Sequence, residues 1–192
     1  MSTLDTDDLV LAVADACDGV MRGRTLLQKL GYFVSEVMQL DAQYRAHYYG
    51  PYSEAMTASL QGQVSRGLLQ ETIETFDDYG FSGHDFPRRR YTYALTDAGR
   101  AALAWRRKNA EDAFRKAASI LSKITTTTPD YRVLSYAAKL YFLLLQSGGP
   151  MSLAAALERA SEDYGWPMTP EQMQAGARML ADVGLVQAEA KS

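Results

Sequence analysis

The chain has 192 residues, enough for one compact domain or two small ones sharing an interface. With 47% hydrophobic and 22% charged residues, its composition excludes global disorder and fibrous repeats. The formal charge of -3 conceals an uneven distribution, because positions 88 to 123 hold ten basic residues against three acidic ones, a formal +7.

In chain order, Leu9, Val10, Val13, Ala16 and Cys17 recur at helical spacing behind Asp7 and Asp8, which suit the positive end of a helix dipole. This predicts a first helix from Thr6 to about Gly19, with Cys17 read as a core thiol. A second helix follows in "GRTLLQKLGYFVSEVMQL", where Thr25 and Gln28 have capping-box spacing and Leu26, Leu30, Phe33 and Val37 form one stripe. Residues 42–49 read as a short extended segment ended by Gly50-Pro51, with Tyr48, Tyr49 and Tyr52 seating the next helix on a wing. That third helix starts near Ser53, buries Met56, Leu60 and Val64, and ends at Gly67.

Two β-prone runs, "LLQETIETF" and "RRRYTYALT", then bracket a Gly- and Asp-rich tip, which predicts a hairpin. Three helices followed by a hairpin is the order of a winged helix-turn-helix. Thr96 caps a long helix expected from Asp97 to Ile124, whose apolar stripe runs through Leu103, Ala110, Phe114, Ala117, Leu121 and Ile124. Residues 125–130 mark a boundary. Beyond it come three helices, the last opened by Thr169, Pro170 and Gln172, then "LVQAE" as a short strand. The expected fold is mainly α with a small β-hairpin wing: a winged-helix domain at 1–96, a connecting or dimerisation helix at 97–124, and a C-terminal three-helix unit at 125–192 that could itself be winged-helix-like.

No catalytic motif stands out: there is no phosphate-binding Gly-rich loop, no His-Glu-x-x-His and no serine between glycines at a strand-to-helix turn. An enzyme is not expected, nor a cofactor. Cys17, His47 and His84 lack metal-ligand spacing, and Asp77-Asp78 reads as a solvated turn in preference to a cation site. The longest apolar run, at 137–145, is too short to span a bilayer, and the acidic N-terminus lacks a secretory layout, so a cytoplasmic location is expected.

The basic region supplies the binding candidates. Arg88, Arg89 and Arg90 at the base of the expected wing suit phosphates or a minor groove; an edge strand guarded by charge is the other reading. Arg106, Arg107 and Lys108 either extend that surface or form a solvated helix face, with i,i+4 pairs from Arg107 to Glu111 and from Asp112 to Lys116. On the third helix, Ser53, Thr57 and Gln61 could read bases, with Arg66 at its far end, although Glu54 repels phosphate and no basic residue lies in the first turns.

The run "GRTLLQKLGYFV", with "HYYGPYSEAMTASL" and "RGLLQE", resembles the YwgA-like family of bacterial proteins over about residues 20–72, and more remotely the Panacea-type antitoxin domain. Separately, "RRRYTYALTDAGRAAL" is similar to the wing-to-helix junction of MarR- and PadR-type repressors. That likeness implies that Leu95 anchors the strand, Thr96 caps the helix and Gly99 permits close packing. Through the repressors it implies double-stranded DNA as partner; the homodimer is expected instead from the 97–124 helix, whose stripe needs more burial than one small domain gives. Through the Panacea type, whose members act by protein contacts, it implies an antitoxin- or adaptor-like module meeting a protein through the third helix and residues 44–52. The connection at 39–50 is longer than a repressor turn.

Overall fold

The computed structural model describes residues 4–76, 88–128 and 130–187. The first helix, α1 (Thr6–Ala16), is capped by Asp5, whose carboxylate accepts from the Asp8 amide while the Asp8 carboxylate accepts from that of Asp5. Leu9 to Ala14 are all buried, so α1 is enclosed on every side and acts as the central rod of the N-terminal half. Asp18 and Gly19, both at positive φ, turn the chain into β1 (Val20–Arg22). Three residues are too few to show a strand periodicity.

The next helix, α2 (Arg24–Met38), begins one residue earlier than Thr25, behind Gly23 at φ +91° and without a side-chain cap. The capping box expected from Thr25 and Gln28 is replaced by a long-range role for Gln28. After α2, β2 (Arg45–His47) and β3 (Gly50–Tyr52) form a tight antiparallel hairpin that turns at Tyr48-Tyr49, pairing His47 with Gly50 and Arg45 with Tyr52. Gly50 and Pro51 thus start a return strand instead of ending an extended segment. Ser53 caps α3 (Glu54–Ser65), which buries Met56, Leu60 and Gln63.

The expected long hairpin is present as β4 (Leu69–Phe76) and β5 (Arg88–Leu95), in register from Leu69↔Leu95 to Phe76↔Arg88. With β1 it makes an antiparallel sheet of order β1-β5-β4. Asp77, Asp78 and His84 lie outside the described residues. The fold is therefore mainly α, with a β-hairpin wing.

The single helix expected over 97–124 is two. The first, α4 (Asp97–Asn109), stops at Ala110, whose φ of -138° and ψ of 45° redirect the chain into α5 (Glu111–Thr127). The break lets α4 lie along α1 while α5 packs on both α1 and α2, burying Phe114, Ala117, Leu121 and Ile124. The stripe that suggested a dimerisation helix is thus covered from within the chain. The last three helices are α6 (Tyr131–Ser147), α7 (Leu153–Glu162) and α8 (Pro170–Asp182), with the Thr169 and Gln172 capping box in place. Residues 185–187 form no strand, and the remainder of "LVQAE" lies outside the described residues. One apolar core runs from Leu4 to Val183, with α6 against α2 and β3, so packing crosses the boundary read at 125–130.

At the wing-to-helix junction Leu95 is buried, the Thr96 hydroxyl accepts from the Gly99 amide at 3.0 Å, and a Cβ on Gly99 would sit 2.0 Å from the Leu68 carbonyl oxygen. Gly99→Ala must therefore push α4 off the sheet. It should lower stability by about 2 kcal/mol or more in urea unfolding. Gly62→Ala, where the nearest contact is the Arg66 side chain at 3.5 Å, should leave it unchanged or raise it by up to about 1 kcal/mol.

Candidate functional site

Two consecutive residues of α2, Gln28 and Lys29, reach across to the β2–β3 hairpin and the start of α3. Gln28 is only 5% exposed. Its Nε2 donates to the Ser53 carbonyl and to the Thr57 hydroxyl, each at 3.0 Å, and its Oε1 accepts from the Ser53 amide at 2.9 Å. Ser53, fully buried, donates its hydroxyl to the Ala42 carbonyl and accepts from the Met56 amide. One side-chain amide therefore holds both backbone groups at the mouth of α3, where unpaired donors would otherwise be buried.

Lys29, 2% exposed, donates its ammonium to the Tyr49 carbonyl at 2.6 Å. From the other side, the indole of buried Trp166 donates to the His47 carbonyl at 2.7 Å. Both carbonyls flanking the turn are thus tied to the body of the protein. At its tip, Tyr48 and Tyr49 are 71% and 66% exposed, their rings edge-to-face at 4.9 Å. Only Tyr52 turns toward α3, accepting from the Thr57 hydroxyl at 2.9 Å, so Tyr48 and Tyr49 do not seat that helix.

The chemistry beneath the tip is unusual in its charges. Burial, and secondarily the nearby Lys139, push the Lys29 ammonium down to about 7; burial also lowers Lys139. Neither lysine forms an ion pair among the described residues. Lower on α2, burial raises the Glu36 carboxyl and the Tyr32 phenol, and it raises the Tyr44 phenol packed against them; neither tyrosine hydroxyl has a hydrogen-bond partner among the described residues. Gly31 leaves the space for that second phenol, since a Cβ there would lie 2.7 Å from the Tyr44 hydroxyl.

The DNA-contact candidates differ in exposure and in partners. Ser53 is buried, Thr57 is bonded to Gln28 and Tyr52, and of the three polar residues proposed on α3 Gln61 alone is exposed. Arg66 pairs with Asp7 at 2.6 Å, Arg106 with Asp8 at 2.6 Å and Asp5 at 3.8 Å, and Arg107 with Asp15 at 2.6 Å. These arginines clip α3 and α4 to α1. Lys108 is exposed beside them. The helical pairs expected from Arg107 to Glu111 and from Asp112 to Lys116 are replaced by Arg115, which meets Glu111 at 3.6 Å and also Asp112.

Arg88, Arg89 and Arg90 stand opposite Phe76, Thr75 and Glu74, at the outer end of the described hairpin. Its base is Leu69↔Leu95, so the expectation of arginines at the base is corrected by the register. Arg89 is exposed, and Arg90 lies 3.6 Å from Glu74.

Lys29 has a local sequence signal, a lysine directly beside the Leu26-Leu30-Phe33 stripe of an amphipathic helix. Trp166 gave none, because its partner is a backbone carbonyl 119 residues away.

No family model matches the chain. Over 87 residues it is 34% identical to a Bacillus subtilis (strain 168) protein described as uncharacterized protein YwgA. The aligned stretch covers 44% of this chain and 46% of that protein, so the chain spans about half the length of the relative it matches. The chain is therefore similar to YwgA over part of its length.

Gln28→Ala leaves the Ser53 amide buried and unpaired, while the Ser53 carbonyl keeps the Thr57 amide at 3.3 Å, and should lower stability by about 2 kcal/mol in urea unfolding. For Lys29, the folded-state value of about 7 lies below the ordinary 10.5, so the folded chain binds fewer protons than the unfolded chain between those pH values. The penalty of charging Lys29 is then full below about pH 7, shrinks through the window and is gone above about 10.5. Relative to Lys29→Met, the wild type should gain stability from about pH 7 to about pH 9.5; a difference that stays flat would contradict the buried ammonium.

Proposed function

We propose that this chain is a protein-interaction module of antitoxin or adaptor type, which offers the Tyr48-Tyr49 tip to a protein partner. The observation that carries the reading is the anchored tip: two exposed tyrosines on a turn whose flanking carbonyls are held by Lys29 and Trp166. Tyrosine supplies large contact area with few rotatable bonds, and a turn fixed before binding has little ordering left to lose. The likeness to YwgA does not bear on the choice, because that protein's printed description assigns no activity.

A second reading, a winged helix-turn-helix that binds double-stranded DNA, is favoured by the order of elements and by the arginines at the outer end of β5. We place it second because Arg66, Arg106 and Arg107 already face aspartates of α1 or, for Asp5, its cap, while Glu54 pairs with Arg45 at the N-terminus of α3. A helix meant for the major groove would present cations there, and this one presents Glu54, Ala58 and Gln61.

The two readings separate in one pair of experiments. A photo-crosslinking amino acid in place of Tyr48, in cells expressing the full chain, should give a discrete protein adduct that the same group at Arg89 does not give. Duplex binding should be absent at low salt. Tight binding with a steep salt slope that Arg88→Ala/Arg89→Ala/Arg90→Ala removes would overturn the proposal in favour of DNA.

A further inference from the structure

The surface beside the tyrosine tip has a charge imbalance that the fold does not use. Gly50, next in chain to Tyr49, is flanked by two lysines: a Cβ there would lie 2.6 Å from Lys29 Nζ and 3.2 Å from Lys139 Cγ. Lys29 spends a donor on the Tyr49 carbonyl. Lys139, half-buried on α6, lies over the face of Trp166, with its Nζ 5.6 Å from the ring centroid.

Several arginines elsewhere meet a carboxylate: Arg24 meets Glu71, Arg45 meets Glu54, Arg107 meets Asp15 and Arg159 meets Asp163. Lysines such as Lys108 and Lys116 are exposed to water, whereas Lys29 and Lys139 are two lysines brought together with at least one of them buried. A protein with 23 acidic residues against 20 basic ones could have placed one beside this pair. Charging two desolvated lysines side by side without a counter-charge is unfavourable in the free protein, which leaves Lys29 partly neutral near pH 7, and an anion arriving from outside favours the charged pair.

Resting on the protein-contact reading, we propose that the Lys139 ammonium, with Lys29 recessed behind it, donates to a carboxylate side chain of the partner, so that the Tyr48-Tyr49 tip docks against an acidic segment of polypeptide. An acidic peptide fits better than a nucleic acid. A nucleic-acid backbone needs a row of exposed cations, whereas here one recessed ammonium and one half-exposed ammonium sit next to exposed tyrosines. Polar recognition of this kind sets register and specificity, while the aromatic tip supplies the contact area.

The test uses the full chain with 13C-labelled lysine and tyrosine, titrated with a glutamate-rich peptide, its glutamine counterpart and a short DNA duplex. The glutamate peptide should shift the Lys139 Cε and the Tyr48 and Tyr49 ring signals together and saturably, and the glutamine peptide should not. Lys139→Gln should weaken that binding about tenfold or more, and Lys108→Gln, an exposed lysine on α4, should leave it unchanged. Equal losses in both variants would reduce the effect to general charge attraction and overturn the proposal. So would a Lys139 signal that moves with the duplex but not with the peptide. If Tyr48 crosslinks to a protein whose contacting segment carries no carboxylate, this inference falls while the protein-contact reading stands. If Tyr48 crosslinks to nothing, the reading falls first and this proposal with it.

Discussion

The amide of Gln28 is the constraint on which the rest of this surface depends. A buried glutamine offers two donors and an acceptor, and leaving any of them unmatched is unfavourable. Here the acceptor takes the Ser53 amide, while the donors go to the Ser53 carbonyl and the Thr57 hydroxyl. That arrangement fixes where α3 begins relative to α2. It also fixes the end of the long connection between them, so that the β2–β3 hairpin emerges from a rigid base. Lys29 and Trp166 then hold the two carbonyls at its turn. The Leu-Gln-Lys run of one helix and the Tyr-Gly-Pro-Tyr-Ser turn are thus two halves of one interlock.

The charge pattern changes meaning once the chain is folded. Along the sequence, residues 88 to 123 look like a basic surface. In space, Arg106 and Arg107 find Asp8 and Asp15, 98 and 92 residues upstream, and Arg66 finds Asp7. These pairs are partly exposed and contribute modestly to stability, but they orient α3 and α4 against α1. The lysine pair under Gly50 is the converse case, inconspicuous in sequence and unmatched in space.

What was legible follows from how local each signal is. Helices α1, α2, α3 and α8 declare themselves by apolar spacing, and Ser53, Thr96 and Thr169 cap where a short polar residue before an amphipathic run should. The close packing at Gly99 was implied by the likeness to the repressor junction, and the Leu68 carbonyl is what it packs against. Non-local events were not legible. The Thr25-to-Gln28 spacing imitates a capping box although the glutamine bonds 25 residues away. The break at Ala110 is silent because the apolar stripe stays nearly in phase across it, so nothing in the pattern marks where one helix becomes two. The tyrosines read as a core contact because aromatic residues usually are one; their exposure is set by the hairpin register, with Tyr48-Tyr49 at the turn.

The central claim is that the tyrosine tip stands on an interlock as stable as the core. Native-state hydrogen exchange of the Ser53 amide addresses it most directly, because that N–H is bonded to the Gln28 side chain and not to any regular ladder. The account predicts exchange only through global unfolding, at the slow rate of the buried centre of α1. Exchange at the rate of an open loop, with α1 still protected, would show that the connection between α2 and α3 opens on its own, and would contradict it.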